Sequence, residues 1–375
     1  MKKKIYLDNN ASTQVAPEVV EVIHEHLLNS VGNPSSVHAF GRDAKRDLTR
    51  SRDSIAEFLG VKPEEITFTS SGTEAVNLTI LGILKQTGPG HVISSNLEHA
   101  AVMKSLEQLE NEGSEVSYLS AGAHGAISAK DVRDEIQPNT KLITLMAANN
   151  ETGVKTDIAA IAEIALECGI PFVVDGVALL GKETFQIPEG VTAIGFSGQK
   201  IHAPKGTGFA FIRNRTKIHP LIVGGEQEGG RRAGTENLPG IVGLAKAVEL
   251  IRDEISEYEE RVRKLRDYME SRLVGNLGGV FVNGEGPRVC NTTNLSFERV
   301  DGESLLTMLD MEGVAVSHGA ACSSGGLEPS RVLLNMGIKR DRVDSAIRIS
   351  LSRYTTQEEV DTAVSIIESV VKRLR

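Results

Sequence analysis

The sequence predicts an α/β protein with a large domain built on a mainly parallel sheet and a smaller C-terminal α+β domain. The chain has 375 residues, which is more than one hydrophobic core usually holds. Its 40% hydrophobic and 24% charged residues are typical of a globular protein. From about residue 60 to residue 215, short β-rich runs alternate with segments of helical periodicity. This alternation is the main reason for predicting a parallel sheet.

The β-rich runs are short and apolar, as expected of strands that helices cover on both faces. Helical patterns such as TEAVNLTILGILKQ and EHAAVMKSLEQLEN separate them. In chain order the predicted strands are ITFTS (66–70), HVISS (91–95), EVSYL (115–119), KLITLMA (141–147), PFVVD (171–175), AIGFSG (193–198) and GFAFI (208–212). Ligands of such sheets bind at the carboxyl ends of the strands.

The pattern changes after residue 237. Residues 247–273 form a long charged helical stretch, which we expect to bridge two domains with its charges in solvent. Runs at 291–297, 314–319 and 346–350, followed by a closing helix, predict the small domain. We therefore expect a small domain made of residues 1–15 and 255–375, and a large domain made of residues 16–254.

Charge and composition exclude several classes of function. A net charge of −9 without a long basic run argues against direct nucleic-acid binding. No segment is apolar enough to cross a bilayer, and the start MKKKIYLDNN lacks the apolar core of a signal peptide. The three cysteines, Cys168, Cys290 and Cys322, cannot all pair and have no zinc-site spacing. We expect a reduced, cytoplasmic protein without a membrane role.

The segment TSSGTEAVN (69–77) places Ser71, Gly72 and Thr73 between a predicted strand and a predicted helix. Free N–H groups and the helix dipole at such a position favour a phosphate, and Thr73 adds a hydroxyl donor. The alternative interpretation is an ordinary N-cap with Glu74 in the first turn. This segment alone leaves both interpretations open.

Asp175 and Lys200 follow two successive predicted strands. A carboxylate at the end of an apolar strand is costly unless it has a cationic or protonated partner. A lone lysine there is more commonly a surface residue with a buried stem. Together, however, the two residues suit pyridoxal phosphate, which needs a carboxylate at its ring nitrogen and an amine for a Schiff base.

Ordered motifs along nearly the whole chain carry a family resemblance. They are YLDNNAST (6–13), GNPSSVH (32–38), FTSSGTEAVN (68–77), EHAAV (98–102), NNETG (149–153), VVDG (173–176), SGQKIHAPKG (197–206), GGEQEGGRRAGTEN (224–237), SHGAACSS (317–324) and AIRISLSRYTT (346–356). The chain resembles the cysteine desulfurases of the NifS/IscS type. These are class V aminotransferase relatives with the type I fold of pyridoxal-phosphate enzymes.

The resemblance implies a homodimer that removes sulfur from L-cysteine. The products would be L-alanine and a persulfide on Cys322. The sulfur would then pass to an acceptor protein, such as an iron–sulfur scaffold or a tRNA-thiolation relay. In this family the cofactor is pyridoxal 5′-phosphate.

The resemblance also assigns roles by position. Lys200 matches the Schiff-base lysine, Asp175 the partner of the ring nitrogen, and His99 the residue stacked on the ring. Asn150 matches a contact to the ring oxygen and the substrate, and Arg348 matches the clamp on the substrate carboxylate. The phosphate ligands that the resemblance implies are Thr73, Ser197 and, from the second subunit, Thr235. We also expect Ser71, Gly72 and Gln199 to bind the cofactor.

The chain departs from the family pattern at two positions near the cofactor. Ala178 stands where the family usually has a glutamine that contacts the ring oxygen, so a hydrogen-bond donor is missing. Gln199 stands where the family usually has a histidine before the Schiff-base lysine, and its amide can still reach a phosphate. We expect binding to survive, with effects on rate and absorbance.

Several alternatives stay open at the level of sequence. From the residues alone, His99 is also a helix cap, and Cys168 and Cys290 are expected to be small buried apolar residues. Rival functions are a selenocysteine lyase or another class V reaction. A rival of another class is a weakly active or non-catalytic dimeric adaptor, suggested by Ala178 and Gln199.

Overall fold

The computed structural model of the protein describes residues 4–319 and 328–375. Its strands are β1 (Ile5–Tyr6), β2 (Ile66–Thr69), β3 (His91–Ser95), β4 (Glu115–Leu119), β5 (Thr140–Met146), β6 (Phe172–Asp175), β7 (Ala193–Ser197), β8 (Gly208–Ile212), β9 (Val280–Val282), β10 (Thr292–Phe297), β11 (Val314–Ala315) and β12 (Ala346–Ser350). Its α-helices are α1 (Pro17–Asn29), α2 (Ala39–Leu59), α3 (Gly72–Thr87), α4 (Ala100–Asn111), α5 (Ala129–Glu135), α6 (Ile158–Cys168), α7 (Leu238–Leu277), α8 (Gly302–Met311), α9 (Arg331–Asn335), α10 (Arg340–Asp344) and α11 (Gln357–Leu374).

The large sheet has the strand order β2-β8-β7-β6-β5-β3-β4. All neighbouring strands in it are parallel except β8, which is antiparallel to both β2 and β7. Each strand coincides with a predicted run to within two residues at either end. The prediction of a mainly parallel α/β sheet is confirmed.

Helices cover both faces of this sheet because successive strand residues point to opposite sides. In β6, Val173 packs with α3 and α4 in one apolar cluster. Its neighbours Phe172 and Val174 belong to a second cluster, which also contains residues of α2, α6 and the first half of α7. Because β6 is buried on both faces, its sequence begins with the unbroken apolar run FVV.

Helix α7 joins two hydrophobic cores. It begins at an Asn237 cap with a proline in the first turn and continues for 40 residues. Ile251 and Ile255 pack in the core of the large sheet, whereas Tyr258 and Val262 pack with β10, β12 and α11. The charged stretch is thus one helix shared by two cores. The domain boundary at residues 254 and 255 stays a prediction.

The first residues of the chain join the second core. β1 pairs with β11 in parallel, and Asp8 forms a bridge with Ser350 at the end of β12. Ile5 and Leu7 are buried in the same cluster. This pairing brings the polar run that follows β1 next to the large sheet, where it contributes to the site described below.

The two described cysteines behave differently. Cys290 is buried, as predicted, but Cys168 is exposed, so the expectation for Cys168 is wrong. Cys168 is the last residue of α6, on the turn where the chain leaves the core through Gly169. Cys322 lies outside the described residues. In the parts of the chain that the structure describes, no helix is both long and apolar enough to span a membrane.

Candidate active site

A cavity of about 170 Å³ lies at the carboxyl ends of β6 and β7. Residues from distant parts of the sequence line it. They are Asn10, Ala11, Ser71, Gly72, Thr73, Val76, His99, Ala101, Met146, Ala148, Asn150, Asp175, Val177, Ala178, Lys182, Ser197, Gln199, Lys200 and Arg348. The position agrees with the rule that open α/β sheets bind ligands at strand ends.

The N-terminus of α3 forms one wall of the cavity. Ser71 caps this helix, because its hydroxyl accepts a hydrogen bond from the Glu74 N–H at 3.1 Å. A Cβ atom on Gly72 would lie 2.6 Å from Val177 Cγ2, so only glycine fits there. The cap interpretation therefore holds, and the same segment also faces the cavity. Its helix dipole and backbone N–H groups favour an anion.

Asp175 ends β6 and is 7% exposed. One of its carboxylate oxygens accepts the Val177 N–H at 3.0 Å. Burial raises the pKa of Asp175, while His99, the Val177 N–H and Lys200 act in the opposite direction. A cation placed beside this carboxylate would relieve the cost of its burial.

A second buried carboxyl group, that of Glu98, interacts with Asp175. Burial raises the pKa of Glu98 to about 8, and the charge of Asp175 raises it further. The Ser95 hydroxyl donates to one Glu98 oxygen at 2.6 Å. The neutral form of Glu98 is therefore favoured beside Asp175.

Lys200 ends a single 3-10 turn that follows β7, at Gly198–Lys200. Its Nζ donates to the backbone carbonyls of Asn10 at 2.6 Å and Ala11 at 2.7 Å. Its own carbonyl accepts from Nζ of Lys182 at 3.2 Å. Because β6 and β7 are parallel neighbours, Lys200 and Asp175 meet at the same sheet edge.

His99 is both the N-cap of α4 and a wall of the cavity. Its Nδ1 accepts the Ala101 N–H at 3.1 Å, as the helix-cap interpretation requires. This bond leaves Nδ1 as the acceptor nitrogen and fixes the plane of the ring. The imidazole is therefore held at the cavity in one orientation.

Arg348 lies in the middle of β12 and is 1% exposed. Its Nη2 pairs with Asp8 at 2.6 Å, and its Nη1 donates to the Asn150 carbonyl at 3.1 Å. Among the described residues, its Nε has no hydrogen-bond partner. A guanidinium held in this way retains N–H donors for a carboxylate ligand.

The sequence comparison agrees with this arrangement. The family model for aminotransferase class-V matches residues 5–363. The chain belongs to the aminotransferase class-V family.

Two relatives and one solved structure make the comparison concrete. A cysteine desulfurase of Trichormus azollae is 42% identical over 374 residues, which cover 99% of this chain and 94% of that protein. The cysteine desulfurase IscS of Dictyoglomus turgidum is 40% identical over 379 residues, which cover 100% and 96%. A solved structure titled NifS-like protein matches with a TM-score of 0.93 and 34% identity, covering 99% of this chain and 100% of that chain.

Most predicted site residues of this class-V chain line the one cavity. They are Ser71, Gly72, Thr73, His99, Asn150, Asp175, Ser197, Gln199, Lys200 and Arg348, and Ala178 joins them. Thr235 does not line the cavity of its own chain and is exposed. Cys322 lies outside the described residues. The described residues contain no cluster of acidic, histidine or cysteine side chains suited to a metal ion.

The sequence patterns predict no place at the cavity for Asp8, Asn10, Ala11 or Lys182. The first three belong to the polar run DNNAST directly after an apolar segment, and this polarity was the available signal. Lys182 is buried, and burial lowers the pKa of its amine. A lysine seven residues after a strand gives no signal of burial in the sequence.

Proposed function

We propose that the protein is a pyridoxal-phosphate-dependent L-cysteine desulfurase. The observation that carries this proposal is the single cavity that holds Asp175, Lys200, His99 and Arg348. This set supplies a buried carboxylate, an amine, an oriented imidazole and a carboxylate clamp. Relatives named cysteine desulfurase at 40–42% identity over the whole chain support the choice of substrate.

The cavity residues fit the cofactor chemically. Asp175 is costly to bury alone, and a protonated pyridine nitrogen would pair with it. The α3 N-terminus, with Gly72 in close packing and Thr73 and Ser197 beside it, would hold the phosphate. The Lys200 amine would form the covalent bond to the aldehyde carbon of the cofactor. When bound, this cofactor withdraws electrons from the substrate Cα.

The chain's own residues would orient the substrate and move its protons. Arg348, fixed by Asp8 and the Asn150 carbonyl, would clamp the cysteine carboxylate through its remaining N–H donors. Lys200, the lysine assigned to the cofactor, would take and return the Cα proton, and Lys182 is a second amine at the cavity. Burial raises the pKa of both Glu98 and Asp175, and a cationic ring beside Asp175 would favour the negative charge on that carboxylate.

Sulfur transfer is assigned to Cys322, on the resemblance of the SHGAACSS segment. Its thiolate would attack the substrate sulfur, so that an S–S bond forms as the substrate C–S bond breaks. The electron pair of the C–S bond stays on the substrate carbon, which takes up protons to become alanine. The Cys322 persulfide would then pass to an acceptor for iron–sulfur assembly or tRNA thiolation, in the cytoplasm.

A homodimer is part of the proposal. Thr235 is exposed on the segment GGEQEGGRRAGTEN, away from its own cavity, and would reach the phosphate of the second subunit. The large apolar side chains that are left exposed near the N-terminus support such an association. They include Leu27, Leu28, Val31, Val37 and Phe40.

The test begins with the holoprotein. We expect a visible absorbance band, and borohydride reduction should add the cofactor mass to Lys200. Added L-cysteine should yield alanine together with a persulfide on Cys322. Selenocysteine as a competing substrate separates a desulfurase from a selenocysteine lyase.

Cysteine variants provide the controls. Cys322→Ala should retain the absorbance band and lose persulfide formation, whereas Cys168→Ala should retain both because Cys168 is remote from the cavity. A protein that binds no cofactor, or one whose Cys322→Ala variant releases alanine at the parent rate, would overturn the proposal. Cofactor binding without any turnover would favour the adaptor.

A further inference from the structure

The described chain resumes at residue 328, and a buried side-chain tie, the hydrogen bond between Ser330 and Glu151, joins it to the segment that follows β5. Ser330 lies eight residues after Cys322 in the sequence and is buried. Its hydroxyl donates to a Glu151 carboxylate oxygen at 2.5 Å and also caps α9 by accepting the Leu333 N–H at 3.1 Å. One hydroxyl therefore serves both as a helix cap and as a link to another part of the fold.

Glu151 is held rigidly on its own side of the tie. It is buried, its N–H donates to the Asn149 side chain at 2.9 Å, and its carbonyl accepts from the Asn294 side chain at 3.3 Å. Its neighbour Asn150 lines the cavity and accepts from Arg348. The tie is thus fixed one residue away from the proposed substrate contacts.

The charges around the Glu151 carboxylate support its role as acceptor. Burial raises its pKa, while the Ser330 hydroxyl and the charges of Arg348, Arg331 and His318 act in the opposite direction. A buried carboxylate with these neighbours would lose much of its compensation if the hydroxyl were removed.

Residues next to Ser330 also bind to a segment that lines the cavity. Arg331 donates to the backbone carbonyls of Asn96 and Glu98, just before His99. The Asn335 side chain donates to the Asn96 carbonyl at 2.7 Å. Helix α9 and its cap are therefore attached to both segments, 96–99 and 149–151, that present side chains to the cavity.

We propose that Glu151 and Ser330 are positioning residues for sulfur transfer. Their hydrogen bond fixes Ser330, eight residues after Cys322 in the sequence, relative to Asn150 and Arg348. This inference rests on the proposed function, because it concerns the step assigned to Cys322. Holding two reacting groups in register contributes strongly to rate, so loss of the tie slows attack on sulfur without weakening the binding of cysteine.

Replacement of Ser330 by aspartate separates the two roles of the hydroxyl. Aspartate keeps the cap acceptor for Leu333 N–H but replaces the donor to Glu151 with a like charge. We expect Ser330→Asp to slow single-turnover persulfide formation roughly tenfold or more, with cysteine affinity unchanged within about twofold. Ser330→Thr should retain the parent rate, since it keeps the hydroxyl.

A double variant that exchanges the donor and the acceptor tests whether the hydrogen bond itself controls the rate. In the double variant Glu151→Gln with Ser330→Asp, the glutamine amide can donate to the aspartate, so we expect most of the rate to return. Hydrogen exchange of residues 328–336 should rise in Ser330→Asp and fall again in the double variant. The control is Ser128→Asp, which changes the same type of cap on α5 and should leave every readout unchanged.

Three results would overturn the proposal. They are an unchanged persulfide rate in Ser330→Asp, an equal loss of rate and cysteine affinity, and a double variant as slow as the single one. If the aspartate variant does not fold, Ser330→Ala gives the same comparison of rate with affinity. If the parent protein forms no persulfide at all, the proposed function fails, and exchange at 328–336 still decides whether the tie holds this segment.

Discussion

At the scale of single residues, the cavity depends on how two buried carboxyl groups share their charge. Glu98 accepts from Ser95 but, among the described residues, its second oxygen has no partner. Asp175 accepts the Val177 N–H and lies near the charge of Lys200. The better-compensated group keeps the negative charge, because ionising both in one low-dielectric region costs more than ionising one.

Glu98→Gln should change the dependence of stability on pH. The pKa of Glu98 is about 8 in the folded protein against 4.5 ordinarily, so its favourable contribution is complete below pH 4.5 and is lost as pH rises towards 8. Across this interval the free energy of unfolding of the parent should fall by up to about 1.4 kcal/mol per pH unit because of Glu98. In Glu98→Gln this decrease should be absent. Denaturant unfolding between pH 5 and pH 8 measures the slope of the free energy of unfolding against pH for the parent and for Glu98→Gln.

The control for that experiment is Glu107→Gln, on an exposed side chain of α4. It should leave the slope of the parent unchanged. Equal slopes in the parent and in Glu98→Gln would mean that Glu98 is ionised in the folded protein.

Ala178→Gln should restore a donor that the family pattern places beside the cofactor ring. Ala178 lines the cavity, so a longer amide side chain there would enter the space next to Asp175 and Lys200. We expect a shifted absorbance band or a several-fold higher turnover, since one hydrogen bond is worth on the order of 1 kcal/mol. An identical spectrum and rate would indicate that another group already serves this role.

At the scale of elements, the segment 224–237 is fastened to the large sheet by a buried ion pair. Glu228 is 2% exposed and pairs with Arg52 of α2 through two bonds of 2.6 and 2.9 Å. The same carboxylate accepts the Phe68 N–H of β2 at 2.8 Å. These contacts hold the segment that presents Thr235.

Glu228→Ala should destabilise the protein by about 2–3 kcal/mol, because it leaves the Arg52 charge and the Phe68 N–H without their acceptor. Glu167→Ala removes an exposed ion pair with Arg133 and should leave the stability almost unchanged. Chemical denaturation compares the two variants. If both variants lost equally little stability, water would replace the contacts of Glu228 without a free-energy cost.

At the scale of the whole molecule, the proposed dimer makes each site depend on two chains. The expected solution mass is twice 40.3 kDa. Because Thr235 is exposed and does not line its own cavity, Thr235→Asp should weaken cofactor binding in the partner's site by charge repulsion.

Mixed dimers test this sharing directly. Lys200→Ala and Thr235→Asp are each expected to be inactive as homodimers. A dimer with one chain of each kind has one site with both Lys200 and Thr235 intact, so mixing after mild dissociation should restore up to half of the activity of one parent dimer. No recovery in confirmed mixed dimers would place Thr235 in its own chain's site.

The sequence by itself determined the elements whose patterns are local. The strands of the large sheet follow from short apolar runs between helical segments, and α7 follows from a long charged periodic stretch. Asp175 and Lys200 could be paired from sequence because Asp175 ends one strand and Lys200 closely follows the next, and the carboxyl ends of the two parallel strands share one sheet edge. The remaining site residues came from family motifs.

Only the tertiary structure decided which residues meet across long separations. Asp8 and Arg348 are 340 residues apart, and no local pattern links them until β1 and β12 join the same core. The burial of Lys182 and the exposure of Cys168 depend likewise on what packs against each side chain. For His99 and Ser71 the cap interpretation is confirmed and the functional one stays a prediction, because a side chain that caps a helix at a strand end can also line the cavity there.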